Sequence, residues 1–411
     1  MLKNFFRRKK NDENSVDISV DLSADYDNLK LSQSRISSHI SLDFGVLFVV
    51  MSLLLLGTVM VYSASISLSD APKFHVTPDH FLIRHLKSML FAIVVAGFVF
   101  SIPMSIWNKV APYLFVAGIV LLILVLIPGI GKVVNGSRRW IPLGGFNLQV
   151  TELVKVAVLL YAANFTVRKQ YYMHSLKRGL SPMTIALMIV AFLVMMEPDL
   201  GALIMIMVIS FGVLFLGGLN KKFFLLTIPL VGLLVGALIY CSPWRWARIV
   251  AYLDPWSNAL GKGYQLSHSL IAFGRGEVTG VGLGDAIEKQ HYLPEAHTDF
   301  IMAIIGEELG FVGVCLVLFL FVWLIWRCCE ISKKAIALSQ IFSGLIVQGV
   351  AIWLAFQAFF NVGVASGLLP TKGLTLPFIS YGGSALLSSL IAVAFVLRVD
   401  YENKVILRGG V

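Results

Sequence analysis

Hydrophobic residues in this chain fall in long unbroken runs, not in the alternating or three-and-four spacing of half-buried strands and helices. Ten such runs occupy residues 44–66, 86–105, 110–128, 152–168, 183–196, 200–218, 223–241, 299–326, 341–363 and 381–398. About 17–25 apolar residues as a helix cross roughly 30 Å of hydrocarbon. The fifth run is shorter and ends at Glu197-Pro198-Asp199, where a proline between two acids breaks a helix at an interface. The pattern predicts an all-α, polytopic integral membrane protein with about ten transmembrane helices spanning 44–398. Residues 1–43 have no comparable run and carry seven Lys/Arg and seven Asp/Glu, which predicts a disordered cytoplasmic tail. The first apolar run has no small-residue cleavage pattern shortly after it, so it reads as a retained anchor. Residues 399–411 form a second cytoplasmic tail.

Composition agrees. The chain is 57% hydrophobic and 14% charged, with a mean hydropathy of +0.83, against about a quarter charged in soluble proteins. Soluble enzymes, disordered proteins and disulfide scaffolds are excluded; the four cysteines form no C-x-x-C and no regular spacing. A net charge of +10 would suggest nucleic acid in a soluble protein, but here basic residues mark topology. With the N-terminus inside, 20 of the 33 Lys and Arg fall on the inner side. Ten spans then place both termini in the cytoplasm. The outer side holds 67–85, 129–151, a large periplasmic loop 242–298, and 364–380. Within that loop, Trp244, Trp246, Tyr252 and Trp256 beside Arg245 and Arg248 read either as an interfacial anchor or as a substrate contact.

Acids locate chemistry better than bases, because membrane helices bury them reluctantly. None lies between Asp79 and Glu152, and those at the outer span ends are Glu152, Glu197, Asp199, Asp299, Glu307 and Glu308. Asp299, at the start of the eighth span, has two readings. One is a charge favourable to the helix dipole; the other is a partly desolvated carboxylate whose raised pKa suits a general base. Glu307 and Glu308 lie deeper and on different faces, so a structural polar network stands beside a role supporting Asp299. The bases on that side are Arg138, Arg139, Lys155, Arg245, Arg248, Arg275 and Lys372. Glu152 and Lys155, three apart, also suit a helix pair. Convergent cations fit an anionic headgroup or a pyrophosphate leaving group. Arg139 is read in a loop before Trp140, and glycines from Gly274 to Gly284 predict a flexible loop around Arg275. No nucleotide-binding, zinc-protease or hydrolase motif and no metal-ligand set is legible.

The run YLPEAHTDFI from Tyr292 to Ile301, IGEELG from Ile305 to Gly310, and GLLPTKGLTLPFISYGGS from Gly367 to Ser384 resemble the SEDS family (shape, elongation, division, sporulation). YSAS at Tyr62, GSRRWI at Gly136, PDLG at Pro198 and GYQL at Gly263 extend the likeness over nearly the whole chain after residue 43. The long tail and the Glu-Ala-His and Gly-Glu-Glu wording favour the division branch over the elongation branch. Two positions depart from the family pattern: Val150 follows Gln149 where proline is usual, and Glu197 stands where glutamine is common.

The resemblance implies the SEDS fold and a peptidoglycan glycosyltransferase that polymerises lipid II outside the cytoplasmic (inner) membrane, at the division septum. It implies Asp299 as the catalytic aspartate, and Arg139 and Lys155 as positions for the lipid-linked substrate. Asp299 is then expected to act as general base, with Arg139, Lys155, Arg248 and Lys372 stabilising the leaving group, with or without a divalent cation such as Mg2+, and Glu307 and His297 in support. The implied partners are a class B penicillin-binding protein (the transpeptidase FtsI), other divisome proteins and membrane lipid; nucleic acid is not among them. The competing reading is a flippase for lipid-linked precursors. A transporter usually keeps its charges near the midplane between internal repeats, whereas Asp299 is at a rim and no repeat is visible.

Overall fold

The computed structural model describes residues 42–67, 77–134, 136–144, 146–173, 175 and 179–409. The tail up to residue 41, and Lys177 and Arg178 of the inner-side count, lie outside the described residues. The ten apolar runs fold as ten helices: α1 Phe44–Ser65, α2 His80–Ser101, α3 Met104–Leu126, α4 Val150–Arg168, α5 Ser181–Met196, α6 Leu200–Leu216, α7 Lys221–Tyr240, α10 Ile301–Ala337, α11 Ile341–Ala365 and α12 Gly383–Leu407. Eight are long and apolar enough to cross a membrane; α5 and α6 are the shorter pair. Helices are the expected answer, because no water reaches the hydrocarbon to bond an exposed amide or carbonyl.

Local chemistry sets several boundaries. Asp43 caps α1 by accepting from Val46 N at 2.9 Å, and Asp199 caps α6 by accepting from Ala202 N at 3.1 Å. Successive spans alternate in direction, so their ends meet in two sets. At one end Ser67 donates to the Lys289 carbonyl at 2.6 Å, Gln149 N donates to Ser384 Oγ at 2.9 Å, and Tyr381 N donates to the His297 carbonyl at 2.9 Å. At the other, Asn164 Nδ2 donates to Asn108 Oδ1 at 2.7 Å, and Arg327 of α10 pairs with Asp43. There α12 runs past residue 398 to Leu407, held where Asn403 Nδ2 donates to the Ile331 carbonyl at 3.1 Å.

Three segments differ from the sequence expectation. Residues 132–149 are a small antiparallel sheet in the order β1 Lys132–Val134, β2 Ser137–Leu143, β3 Phe146–Gln149. Arg139 therefore lies on a strand and not in a loop; Gly136, at φ +75°, makes the first turn, a conformation costly for a residue with a Cβ. The long loop 242–298 contains two helices, α8 Pro243–Leu253 and α9 Tyr264–Gly276. On α8, Trp244 and Trp246 are exposed beside its arginines, as an interfacial helix requires. Arg275 and Gly276 end α9 and are not part of a flexible loop. A Cβ on Gly276 would stand 1.8 Å from the Gly306 carbonyl oxygen, so this glycine lets α9 meet α10 backbone to backbone.

Helix α10 breaks at Gly310 (φ 64°, ψ −163°). The peptide groups freed there pair with 277–282: Phe311 N donates to the Glu277 carbonyl at 3.0 Å, Val312 N to Val278 at 3.1 Å, and Val281 N to Glu307 at 3.0 Å. The segment 366–382 also folds into the bundle, with Leu376, Phe378 and Ile379 buried. Gly57 of α1 admits it, since a Cβ there would lie 2.6 Å from the Phe378 carbonyl oxygen. A Gly57→Val substitution is expected to cost about 1–3 kcal/mol by overpacking against backbone that cannot yield, read as a lower unfolding temperature in detergent; an unchanged temperature contradicts this packing.

Candidate active site

Asp299 lies two residues before α10. Its backbone N–H donates to the Glu295 carbonyl at 3.1 Å, and its carbonyl accepts from Asn361 Nδ2 at 2.9 Å. The half-buried carboxylate has no hydrogen-bond partner among the described residues. It rests instead against Gly373: a Cβ built there would stand 2.6 Å from Oδ2 and 3.3 Å from Cγ, so only glycine permits the approach. Burial foremost, then the negative charges of Glu295 and Asp199, pushes the Asp299 pKa up to about 7, against the opposing pull of Arg248 and Lys372.

The cations converge from three elements. Arg248 of α8 stacks on the Trp244 ring at 4.0 Å; burial draws its pKa down while the Asp299 charge opposes this. Lys372, in the segment between α11 and α12, is brought down to about 8 by burial, Asp199 opposing and Arg139, Arg248 and Arg245 adding to the fall. Gly201, in the first turn of α6, leaves room for it, because a Cβ there would lie 3.1 Å from Lys372 Cε. Arg139 reaches the same region but spends its donors on the α5–α6 turn. Nε donates to the Glu197 carbonyl (3.1 Å), Nη1 to Asp199 Oδ2 (3.3 Å), and Nη2 to Ser137 Oγ (2.9 Å) and the Pro198 carbonyl (3.2 Å). Four of the five N–H groups of a guanidinium are thereby used.

Two expected site residues are not brought to the Asp299 carboxylate. Lys155 is 1% exposed; it pairs with Glu152 at 2.7 Å, lies 4.8 Å from the Trp353 ring centroid and 3.5 Å from Gln357 Oε1. Ser388 donates to the other Glu152 oxygen at 2.6 Å. A lysine ammonium in the bundle needs such partners. Glu307 is likewise turned away, accepting from Arg275 at 3.0 Å and from the backbone of Ile287 at 2.8 Å and Glu288 at 3.3 Å. Glu308 accepts from Lys289 and Ser63, each at 2.6 Å. The two acids thus anchor the outer loop to α10 and α1. His297 does flank the site: its ring lies 5.2 Å from Phe81 and 5.5 Å from Tyr381, and burial lowers its pKa against the opposing charge of Glu295.

Asn361 carried no sequence signal beyond its presence in an apolar run, and Gly373 was legible only as part of the Gly367–Ser384 run that carries the resemblance. Asp199 was legible as an acid at an outer span end and within the PDLG run from Pro198. Glu197 is 0% exposed, with both carboxylate oxygens unpartnered; burial first, then Asp199, raises its pKa to about 8 against the pull of Arg139. Among the described residues no three His, Cys, Asp or Glu converge as metal ligands. Asp299 feels the carboxylates of Glu295 and Asp199 as well as the cations Arg248 and Lys372.

Ten apolar helices around one carboxylate, faced by cations at one end of the bundle, define a multi-pass membrane protein with a polar centre at its rim. A family model described as "Cell cycle protein", covering FtsW, RodA and SpoVE, matches residues 44–405, and the chain belongs to that family. It is 55% identical over 380 residues to a "Probable peptidoglycan glycosyltransferase FtsW" of Burkholderia thailandensis, covering 91% of this chain and 82% of that protein. The corresponding protein of Polynucleobacter necessarius subsp. necessarius is 54% identical over 365 residues, covering 88% and 86%. Among solved structures, a chain described under "Structural coordination of polymerization and crosslinking by a peptidoglycan synthase complex" superposes with a TM-score of 0.69 at 28% identity, covering 88% of this chain and 98% of that one. The rod shape determining protein RodA of Thermus thermophilus gives 0.64 at 27% identity, with the same coverage.

Two outcomes test the site's construction. Because folding raises the Glu197 pKa, the fold binds its proton more tightly than the unfolded chain does, and stability falls as pH rises from about 4.5 to about 8. Glu197→Gln is therefore expected to raise the unfolding temperature in detergent, by little at pH 5 and by several degrees at pH 8.5; a pH-independent effect contradicts this. Gly373→Ala is expected to displace the Asp299 carboxylate and lower any activity that depends on it by about 10- to 100-fold, with thermal stability nearly kept.

Proposed function

We propose that this chain is a peptidoglycan glycosyltransferase that polymerises lipid II during septal cell-wall synthesis, with Asp299 as its general base. Membership of the FtsW, RodA and SpoVE family and the names of its relatives support the activity. The observation that carries the chemical assignment is the Asp299 carboxylate itself, free of hydrogen bonds, pressed against Gly373 and faced by Arg248 and Lys372.

The chemistry follows from those groups. The acceptor sugar's C4 hydroxyl gives its proton to Asp299 as its oxygen attacks C1 of the donor sugar. The bond from C1 to the pyrophosphate oxygen breaks, and undecaprenyl pyrophosphate departs with the electron pair, with inversion at C1. A pyrophosphate leaves without a general acid, so one base suffices. The charge growing on it is met by Arg248 and Lys372, which have no ion pair among the described residues. Arg139 contributes at one remove by fixing the turn that carries Asp199. An apolar cavity of about 360 Å³, lined by Met207, Phe211, Phe224 and Ile352 among others, offers an isoprenoid tail a place beside α7.

The site faces the periplasm, both termini lie in the cytoplasm, and the enzyme works at the septum beside a class B penicillin-binding protein transpeptidase. The Lys and Arg distribution supports the orientation, and the likeness to a chain of a peptidoglycan synthase complex supports the partnership.

Polymerisation of labelled lipid II by the purified protein with its cognate transpeptidase tests the assignment. Asp299→Ala is expected to lose about 10²- to 10⁴-fold in rate, the usual contribution of a general base; full activity in that variant overturns it. Asp299 works only when ionised, so the rate is expected to rise as pH passes through about 7. Lys372 works only when protonated, so the rate is expected to fall above about 8. Lys372→Arg, whose charge persists, is expected to abolish the alkaline fall; a pH profile identical to the wild type removes Lys372 from the mechanism.

A further inference from the structure

Asn361, on the last turns of α11, is 1% exposed, and a buried amide in an apolar helix is costly unless it is bonded. Its Nδ2 donates twice, to the Asp299 carbonyl at 2.9 Å and to the Leu374 carbonyl at 2.6 Å. These carbonyls belong to the two segments whose approach makes the site: one carries Asp299, and the other carries Gly373, immediately before Leu374. No other side-chain hydrogen bond among the described residues joins the two segments. One turn earlier on the same helix face, Gln357 donates to the next carbonyl, Thr375, at 2.8 Å and accepts from Trp353 Nε1 at 2.6 Å. The face of α11 therefore holds the Gly373 segment at two successive carbonyls, and Asn361 alone also holds Asp299.

We infer that Asn361 is a positioning residue for the transfer reaction: by binding the Asp299 and Leu374 carbonyls with one amide, it fixes the carboxylate against Gly373 and sets its aim at the acceptor hydroxyl. The inference rests on the reading of Asp299 as general base. A base must lie about 2.6–3.2 Å from the proton it takes, and a misplacement of about 1 Å costs on the order of 100-fold. Asn361 touches neither sugar nor pyrophosphate in this scheme. Its loss is therefore expected to act on the rate of the bound complex and not on substrate capture.

The test is lipid II polymerisation by the full chain with its cognate transpeptidase, comparing wild type, N361A, N361D and D299A. N361A is expected to lower kcat about 10- to 100-fold with KM changed less than about threefold. Its acid limb is expected to shift to lower pH, because a carboxylate released from Gly373 is better solvated. The charges facing Asp299, from Glu295, Asp199, Arg248 and Lys372, are the same in both proteins. N361D donates only when its carboxyl is protonated, so its rate relative to wild type at equal pH is expected to rise as pH falls. It also carries the test should N361A fail to fold. Wild-type kcat in N361A overturns the inference. So does a loss with an unmoved acid limb that tracks lost thermal stability, which marks a plain structural anchor. Activity retained in D299A instead removes the base reading, and the positioning role with it, an outcome distinct from any result of the Asn361 variants.

Discussion

The site depends on one close approach, that of the Asp299 carboxylate to the backbone of Gly373. A carboxylate without hydrogen bonds is unstable in a dry interior and inefficient as a base in water. The contact with Gly373 places this one between those limits, screened on one side by peptide, with burial and the charges of Glu295 and Asp199 outweighing the pull of Arg248 and Lys372. For the two segments to meet, 366–382 must enter the bundle, which requires Gly57 on α1, and Asp299 must be fixed at the head of α10. Much of the architecture at that end of the molecule serves those two placements.

Placing irregular backbone among apolar helices is possible only where the protein itself answers each peptide group. The break at Gly310 is matched by pairing with 277–282, and Glu307 and Glu308 bind the same outer loop through Arg275, Lys289 and backbone amides. These acids are the costliest residues of α10, yet their partners tie the loop to the helix that follows Asp299. The buried Glu152–Lys155 pair, with Ser388 and Gln357, performs a similar service between α4, α11 and α12. These polar groups within the bundle thus hold its elements and loops together.

This division separates an enzyme of the membrane surface from a carrier. A carrier needs its charges where they can be exposed to either side in turn. Here the charges of Glu152 and Lys155, of Glu307 and Arg275 and of Glu308 and Lys289 are closed in pairs, while Arg248 and Lys372 lie at the same end as Asp299.

The sequence by itself determined the number, length and helical character of the apolar elements, because crossing hydrocarbon fixes length and hydropathy for each helix independently of its neighbours. It placed Asp299 among six acids at the outer span ends, and the family resemblance implied it as the catalytic one. It left Glu307 and Glu308 open between network and support, and it listed Arg139, Lys155, Arg248 and Lys372 together as bases on one side. Which of them faces Asp299 was decided by tertiary structure: Lys155 closed on Glu152, Arg139 spent on a turn, Arg248 and Lys372 left facing the carboxylate. Asn361 was silent in the sequence for the same reason, and Gly373 was visible there only within a longer run shared with the family. An asparagine in an apolar run and a glycine in a glycine-rich one acquire meaning only when distant segments meet, and that meeting depends on packing between elements far apart along the chain.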